Sequence, residues 1–451
     1  MTMSASPASV AAAPQRPSAE TIAHITRRLL PILLLIYVMS FLDRTNLGLA
    51  QRDLEADLGI SAAAYGLGAG LFFLTYAVFE VPSNLILAKV GARLWLFRIA
   101  ITWGIIAIAM AFVWNETSFY VMRLLLGAAE AGLYPGVLFF LTKWYPHAER
   151  AKIQGMFILG APIASVIGGP LGGALLQLDG ASGFHGWQWM FVIEGIPTLI
   201  LAFVLLATLP DRPTKAKWLD PLVAQQVEDF VEAENKAGAE RSGNHNFLKV
   251  LRDRQILVIA IAYFSTQVAV YSLSYFLPSI IAQIGTFDNN VVIGVLSAVP
   301  WLFGGIGSVL ITRRARSRNT SRFWIIISLA AAVVGLAVAA SVGAWIGFIG
   351  FCFFGFFMVA PQALLLSLVG LRMQGMVLAA GIAAVNTFGL IGGFAGPYAM
   401  GAMQSATGGN AASGVWLIVG MSAIGLLLSF MLTRRAVVDF KPPAAEAGEA
   451  R

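Results

Sequence analysis

Long uncharged stretches alternate with short polar breaks along almost the whole chain. A helix needs about 20 mostly apolar residues to cross the hydrocarbon core of a bilayer, and twelve stretches reach that length. Their approximate limits are 29–50, 62–88, 94–113, 119–142, 153–177, 189–209, 255–283, 290–312, 322–342, 344–369, 375–403 and 414–433. The pattern predicts an all-α integral membrane protein with twelve transmembrane helices.

A longer polar segment separates the first six stretches from the last six. We therefore expect a disordered cytoplasmic tail, an N-terminal six-helix bundle, a cytoplasmic linker, a C-terminal six-helix bundle and a second cytoplasmic tail, at 1–24, 25–209, 210–254, 255–435 and 436–451. No signal peptide is visible in the first tail. Within the linker, Asp220-Pro221 favours the start of an amphipathic helix with Val227 and Val231 on one face.

Glycine and proline strings indicate that the two groups of six are related. The fifth stretch contains Gly168-Gly169-Pro170, and its counterpart under a six-plus-six repeat, the eleventh, contains Gly396-Pro397. Transporters are often built from such repeats, although chance recurrence in glycine-rich helices is the alternative. Small residues here would let helices from opposite halves approach closely.

Composition excludes an ordinary soluble domain, because 58% of the 451 residues are hydrophobic and only 12% are charged. Of the 30 Lys and Arg residues, 27 fall in the tails, the linker and the connections on one side, and the opposite connections hold only Arg52. This asymmetry predicts that both termini are cytoplasmic. It also explains the net charge of +7 without a nucleic-acid partner.

Cysteine and histidine usage argues against a metal centre. Cys352 is the single cysteine, so an intramolecular disulfide is impossible. The four histidines all lie outside the predicted spans: His24, His147, His185 and His245. Because no nucleophile elbow or phosphate-binding loop is present either, we expect neither an enzyme nor a cofactor.

Six charged residues lie within the apolar stretches, where each costs about 2.5–3.5 kcal/mol on insertion scales. They are Asp43, Arg44, Glu80, Arg123, Glu130 and Glu194. We interpret Glu80 and Glu194 as structural groups that hold backbone or basic groups at a helix break. The other four are functional candidates, and the absence of histidine from the spans leaves Asp43 and Glu130 as proton carriers.

The spacing of these four residues predicts how they are arranged. Arg123 and Glu130 are two helical turns apart and share a face with Tyr134, which gives a charged stripe about 10 Å long. Asp43 and Arg44, near the outer end of the first span, point about 100° apart and need separate partners. Structural interhelical salt bridges are the alternative, but pairing only partly offsets the desolvation of four ions.

The C-terminal half supplies hydrogen-bonding groups and no buried charge: Gln267, Tyr271 and Tyr275 at four-residue spacing, then Gln362, Ser367 and Asn386. Each could simply form an interhelical hydrogen bond. As a set they indicate a pocket with cations from one half and hydrogen-bonding groups from the other. An organic anion with hydroxyl groups or a ring fits that asymmetry.

Several segments together resemble the anion:cation symporter family of the major facilitator superfamily, in particular bacterial tartrate and hydroxyphenylacetate permeases and, more distantly, sugar-acid permeases and vesicular glutamate carriers. These segments are 41–48, 123–136, 186–195, 271–278 and 386–398. The resemblance covers all twelve spans, and the combination is more specific than any one segment.

The resemblance implies the major facilitator fold and proton-coupled uptake of a carboxylate by a monomer in the cytoplasmic membrane. It implies that Arg44 holds the substrate carboxylate, that Asp43 and Glu130 exchange protons, and that Arg123 partners Glu130 or assists the anion. It also implies that the site is lined by Tyr76, Gln267, Tyr271 and Asn386.

Two departures from the family pattern qualify this expectation. Ala88 precedes Lys89 where the superfamily usually has an acidic residue, as is common within this family. The seventh stretch lacks the arginine of the glutamate carriers, which favours substrates anchored by one carboxylate. The alternative function is a proton-driven exporter of drugs or metabolites.

Overall fold

The apolar stretches fold as α-helices because a backbone in hydrocarbon must satisfy its own hydrogen bonds. The computed structural model describes residues 15–241, 253–285, 287–315, 318–342, 344–370, 373 and 375–432. Within these ranges, twelve helical stretches are long and apolar enough to cross a membrane, and no strand occurs. The predicted all-α fold with twelve transmembrane helices is confirmed.

The N-terminal bundle contains α1 (Ala19–Leu58), α2 (Ala62–Val90), α3 (Ala92–Ala109), α4 (Glu116–Glu130), α5 (Leu133–Thr142), α6 (His147–Ile158), α7 (Gly160–Leu175) and α8 (Gly186–Thr208). The fourth span consists of α4 and α5, and the fifth of α6 and α7. Helix α1 begins within the predicted tail because Ser18 caps it, its hydroxyl accepting a hydrogen bond from the Thr21 amide. Residues 1–14 lie outside the described residues.

The linker and the C-terminal bundle contain α9 (Pro221–Arg241), α10 (Arg254–Gly285), α11 (Asn290–Arg314), α12 (Arg318–Ser341), α13 (Ala344–Gly370), α14 (Gly375–Ala406) and α15 (Ala411–Ser429). In the linker helix α9, Val227 and Val231 are both buried, as the amphipathic pattern requires. The predicted C-terminal tail, 436–451, lies outside the described residues. Large apolar side chains remain exposed around both bundles, among them Phe203, Ile349 and Leu427, as suits a surface in contact with lipid.

The two halves meet mainly where α2 packs on α14, α7 on α11 and α1 on α10. The backbones of α7 and α11 approach most closely at Gly169 and Gly294, where a Cβ on either residue would collide with the carbonyl oxygen of the other. On α14, a Cβ at Gly393 would lie 2.8 Å from the Phe73 ring of α2. The prediction that the glycine strings allow close approach between the halves is confirmed.

The interface is tightest at one end of the molecule. We call the end at which α1 ends and α2 begins the distal end, and the end at which α1 begins the proximal end. Hydrogen bonds join the halves at the distal end, from the Ser279 hydroxyl to Gln51 (2.8 Å), from the Tyr65 hydroxyl to the Tyr275 carbonyl (3.2 Å) and from the Ala63 amide to the Ser405 hydroxyl (2.9 Å). The structure is therefore closed at its distal end.

Candidate substrate and proton site

A buried ion pair connects α1 to α4. The guanidinium of Arg44 lies 2.5 Å from the Glu130 carboxylate, and the exposed side-chain fractions are 12% and 2%. Arg44 lies 14 residues before the end of α1, about 21 Å at the helical rise of 1.5 Å. Helix α1 continues past the predicted limit of residue 50 to Leu58, through polar residues that end the apolar run, and the location of Asp43 and Arg44 near the outer end of the span stays a prediction.

A break in the fourth span explains why Glu130 needs this partner. Helix α4 ends at Glu130, Gly132 has a φ of 91°, which glycine adopts readily, and α5 begins at Leu133. The predicted continuous stripe from Arg123 to Tyr134 is therefore wrong beyond Glu130. A carboxylate at the C-terminal end of a helix is repelled by the helix dipole, and Arg44 offsets that repulsion.

The Arg44–Glu130 pair is incomplete. Nε of Arg44 and Oε2 of Glu130 are buried and have no hydrogen-bond partner among the described residues. The free-energy cost of burying two ions is offset only when their remaining donors and acceptors also form hydrogen bonds. The pair thus keeps an unused buried donor and an unused buried acceptor, as a site that exchanges partners requires.

Arg123 lies beside this pair but does not join it. Its guanidinium donates to the carbonyl oxygens of Gly68 and Ala69, at 3.3 Å each. The centre of that guanidinium is 4.9 Å from the centroid of the Phe72 ring, and that of Arg44 is 5.2 Å from the same ring. The alternative in which Arg123 partners Glu130 is not seen, because Arg44 holds the carboxylate, and a shared aromatic face stabilises both cations.

Asp43 points away from Arg44, as the predicted angle of 100° requires, and has its own partner. Its carboxylate accepts a hydrogen bond from the Trp103 indole of α3. Asp43 is 5% exposed and interacts electrostatically with Glu130, Arg123 and Glu194. The four predicted charges therefore converge within the N-terminal half.

Glu194 has a structural partner, but the interpretation that it holds backbone or basic groups at a helix break was wrong, because α8 continues from Gly186 to Thr208 and the partner is a neutral amide. Its carboxylate on α8 accepts a hydrogen bond of 2.7 Å from the Asn46 side chain on α1. Both groups are buried. This contact fixes the packing of α1 on α8 within one half.

Tyrosines bring the C-terminal half to the same site. Tyr271 and Tyr275 of α10 and Tyr76 of α2 interact electrostatically with Arg44. The Tyr271 ring also packs on Phe73 of α2, with 4.2 Å between ring centroids. The Tyr275 hydroxyl and the Gln267 side-chain oxygen are buried without a partner among the described residues. Tyr271 and Tyr275 of α10 thus lie within electrostatic range of the charged cluster, and Gln267 packs against Gly389 and Gly392 of α14.

Asn386 is not free in this structure. Its side-chain amide on α14 lies 3.2 and 3.3 Å from the two carboxylate oxygens of Glu80 on α2. The interpretation of Glu80 as a group that stabilises a helix break was wrong, because α2 continues from Ala62 to Val90 and Glu80 contacts the opposite half. The two residues are 306 positions apart, so their spacing carries no signal in the sequence.

Two predicted polar residues and two unpredicted aromatic ones complete the description. Gln362 and Ser367 bond carbonyl groups of their own helix α13, so the structure does not bring them to the cluster. Sequence reasoning missed Phe72 and Trp103. A tryptophan inside an apolar span needs a partner for its N–H, which was the available signal for Trp103.

The cluster is closed in this conformation, since Asp43, Arg123 and Glu130 are all nearly inaccessible. A cavity of about 200 Å³ lies elsewhere, in the C-terminal half, lined by Ile281, Gly285, Phe287, Leu296, Trp345, Phe348 and Phe351. The structure thus brings the four charges together, and this cavity is at a different place.

Comparison with known proteins identifies the family. The model of the Major Facilitator Superfamily matches residues 33–397. A quinolone resistance transporter of Acinetobacter baumannii is 40% identical over 92% of this chain and 95% of its own. A putative tartrate transporter of Agrobacterium vitis is 39% identical over 92% of both. The resemblance to tartrate permeases is thereby confirmed.

Solved structures agree on the fold. A crystal structure of a bacterial homolog of the human lysosomal transporter Spinster, in an inward-facing and unoccupied conformation, superposes with a TM-score of 0.74 at 18% identity, covering 92% of this chain and 97% of that one. The expectation of a transporter rather than an enzyme is confirmed by the relatives. This chain is a multi-pass membrane transporter that belongs to the Major Facilitator Superfamily.

Proposed function

We propose that the chain is a proton-coupled symporter that takes up a small organic carboxylate, such as a sugar acid, a tartrate-like acid or a hydroxylated aromatic acid. The observation that carries this proposal is the incomplete ion pair between Arg44 and Glu130, within electrostatic range of Tyr271 from the other half. Its unused donor and acceptor lie at the interface that alternating access must open and close.

Exchange of carboxylates on Arg44 links the anion to a proton. A guanidinium fork matches a carboxylate, so a substrate carboxylate can replace Glu130 as the partner of Arg44. Glu130 would then be an unpaired charge in a buried site, which is strongly unfavourable. Proton binding by Glu130 removes that charge, and anion and proton therefore bind together.

Asp43 is the second proton carrier in this scheme. It is buried, and its described partner is the neutral indole of Trp103. Two protons carried with one monovalent anion move one net positive charge inward, which contributes about 2.3 kcal/mol at 100 mV. That energy supports about fifty-fold accumulation, at 1.4 kcal/mol per tenfold.

Groups on α10 and α14 would select the rest of the substrate. Gln267 and Tyr275 have unused buried polar atoms, and Tyr271 offers a ring and a hydroxyl. Asn386 adds an amide, and Tyr76 faces them from the N-terminal half. No arginine occurs between residues 255 and 285, so a hydroxylated substrate with one anchoring carboxylate fits best.

The charge asymmetry of the connections supports an orientation with both termini in the cytoplasm and a location in the bacterial inner membrane. The proximal end is then cytoplasmic, and the distal end, closed here, faces outward. Substrate would enter when the distal contacts break. A monomer is sufficient for this cycle, because both halves of the site come from one chain.

The test is transport by purified protein in proteoliposomes. A thermal-shift screen with gluconate, tartrate and 4-hydroxyphenylacetate first selects a binding acid, and a pH dye inside the vesicles then reports proton entry. We expect entry of the acid to acidify the lumen. Glu130→Gln should keep exchange of the acid across the membrane but lose accumulation driven by a pH gradient.

The matched control is Asp229→Asn, because Asp229 accepts a hydrogen bond from Gln225 on the linker helix α9, away from the cluster and from the distal contacts. It should accumulate the acid like the unaltered protein. Full accumulation by Glu130→Gln would remove Glu130 from the coupling role, and acid entry without acidification would overturn the symport proposal.

Proton-driven export of a drug is the second candidate, and the quinolone resistance transporter at 40% identity supports it. The direction of net transport separates the two functions. In everted vesicles the proximal end faces the medium, so an exporter accumulates a quinolone only when the lumen is acidic and protons leave it. A symporter accumulates the organic acid when protons enter with it.

A further inference from the structure

Glu80 lies where the two halves touch away from the closed distal end. It follows Ala62, the first residue of α2, by 18 positions, about 27 Å at 1.5 Å per residue. Its described partner there is Asn386 of α14, at 3.2 and 3.3 Å from the two carboxylate oxygens. Each residue is partly buried. One carboxylate thus spans the interface towards the proximal end.

The Glu80 carboxylate is held across the interface by one neutral amide group. The Asn46–Glu194 bond inside one half is 2.7 Å long. The Asn386 amide is instead shared between two oxygens at longer distances. Among the described residues, no lysine or arginine forms an ion pair with Glu80.

The surroundings of Glu80 are those of the candidate site. Its carboxylate interacts electrostatically with Tyr76, Tyr134 and Tyr263, and Tyr76 also interacts with Arg44. The negative charge of Glu80 therefore faces the space that an incoming anion would occupy. Within the part of the chain that the structure describes, no cation pairs with Glu80. Any carboxylate that reaches Asn386 must displace Glu80 from the amide.

We propose that Glu80 is a built-in competitor that occupies the amide of Asn386 in the empty transporter and is displaced by the carboxylate substrate. This inference rests on the proposed function, in which Asn386 contacts the substrate. Glu80 is then a positioning residue. It holds the halves together towards the proximal end while the site is empty, it lowers the affinity for anions, and its release links binding to movement of α2 against α14.

The experiment is a double-mutant cycle on binding affinity, measured by calorimetry on purified protein with the acid that gives the largest thermal shift. Glu80→Ala removes the competitor, so the Kd should fall about tenfold, equivalent to about 1.4 kcal/mol. Asn386→Ala should raise the Kd. Adding Glu80→Ala to Asn386→Ala should produce no further tightening, because the amide for which Glu80 competes is gone.

The controls address folding and general charge effects. Asp229→Ala removes an exposed carboxylate that the Gln225 amide of the same linker helix α9 also holds, and it should leave the Kd unchanged. Glu80→Gln keeps the side-chain size and should tighten binding less than Glu80→Ala, and it replaces that variant if alanine prevents folding. A purely structural role predicts weaker or unchanged binding instead.

The outcomes separate this inference from the proposed function. If the unaltered protein binds an acid and both Glu80 variants bind it no more tightly, the competitor role is overturned and the symport proposal stands. Equal tightening in the Asn386→Ala background would also overturn it, because the effect would not pass through Asn386. If no acid binds the unaltered protein, both proposals are overturned.

Discussion

Removing the two members of the Arg44–Glu130 pair separately and together tests whether the pair serves transport or only the fold. Arg44→Met and Glu130→Leu each remove one charge and keep most of the apolar volume. The pair has one contact of 2.5 Å, and one atom on each side remains unpaired. The two single variants and the double variant therefore leave different charges buried.

The expected magnitudes follow from burial. Breaking a buried ion pair from one side costs about 3–5 kcal/mol, because the remaining charge is uncompensated. Glu130→Leu leaves the charge of Arg44, which is 12% exposed, so it should lower the free energy of unfolding by about 3 kcal/mol. Arg44→Met leaves the charge of Glu130, which is only 2% exposed, so it should lower the free energy of unfolding by about 5 kcal/mol. The double variant removes both ions, so its free energy of unfolding should be at least that of the unaltered protein.

The assay combines detergent-induced unfolding with transport in proteoliposomes. We expect the double variant to be stable and inactive, which would separate stability from function. The solvent-exposed pair Arg16–Glu149, at 3.2 Å with exposed side-chain fractions of 58% and 31%, is the control. Its double-mutant cycle should give a coupling of about 1 kcal/mol or less.

Two results would refute the reasoning. Single variants as stable as the unaltered protein would mean that neither charge is stranded. A double variant that retains proton-driven uptake would mean that the pair does not carry the substrate or the proton.

Three further predictions concern the surroundings of the site. Trp103→Phe leaves the Asp43 carboxylate without its indole donor and should lower the free energy of unfolding by about 1.5–3 kcal/mol. The same detergent titration measures this free energy, and a change below about 0.5 kcal/mol would contradict the prediction. Asn46→Ala leaves the buried Glu194 without its hydrogen-bond donor and should lower the free energy of unfolding by about 1–3 kcal/mol in that titration. Gly294→Leu pushes a side chain into the α7 backbone at the distal end and should abolish uptake while the protein still reaches the membrane; normal uptake would show that this close approach is dispensable.

The spans were predictable because one physical rule fixes them. A bilayer of fixed thickness requires apolar stretches of a minimum length, so the twelve apolar stretches of the sequence correspond to twelve membrane-spanning stretches in the structure. The convergence of Asp43, Arg44, Arg123 and Glu130 was also predictable, since a charge in an apolar run must find a polar partner. The close approach of Gly169 to α11 followed from residue size.

Partner choice within the site was not predictable in the same way. Whether Glu130 pairs with Arg123 on its own helix or with Arg44 on another depends on where α4 ends, and that is set by one glycine with a positive φ. The contact between Glu80 and Asn386 depends on how two half-molecules are rotated against each other. No local pattern in the sequence encodes that rotation.

The distal closure consists of small residues and neutral hydrogen bonds, and none of the described contacts there pairs a cation with an anion across the halves. Opening that end therefore separates no opposite charges. Because dissolved ions weaken attraction between charges but hardly affect packing or neutral hydrogen bonds, the opening rate should be nearly independent of ionic strength. A bacterium with such a gate could keep the transporter cycling in dilute and in brackish surroundings alike.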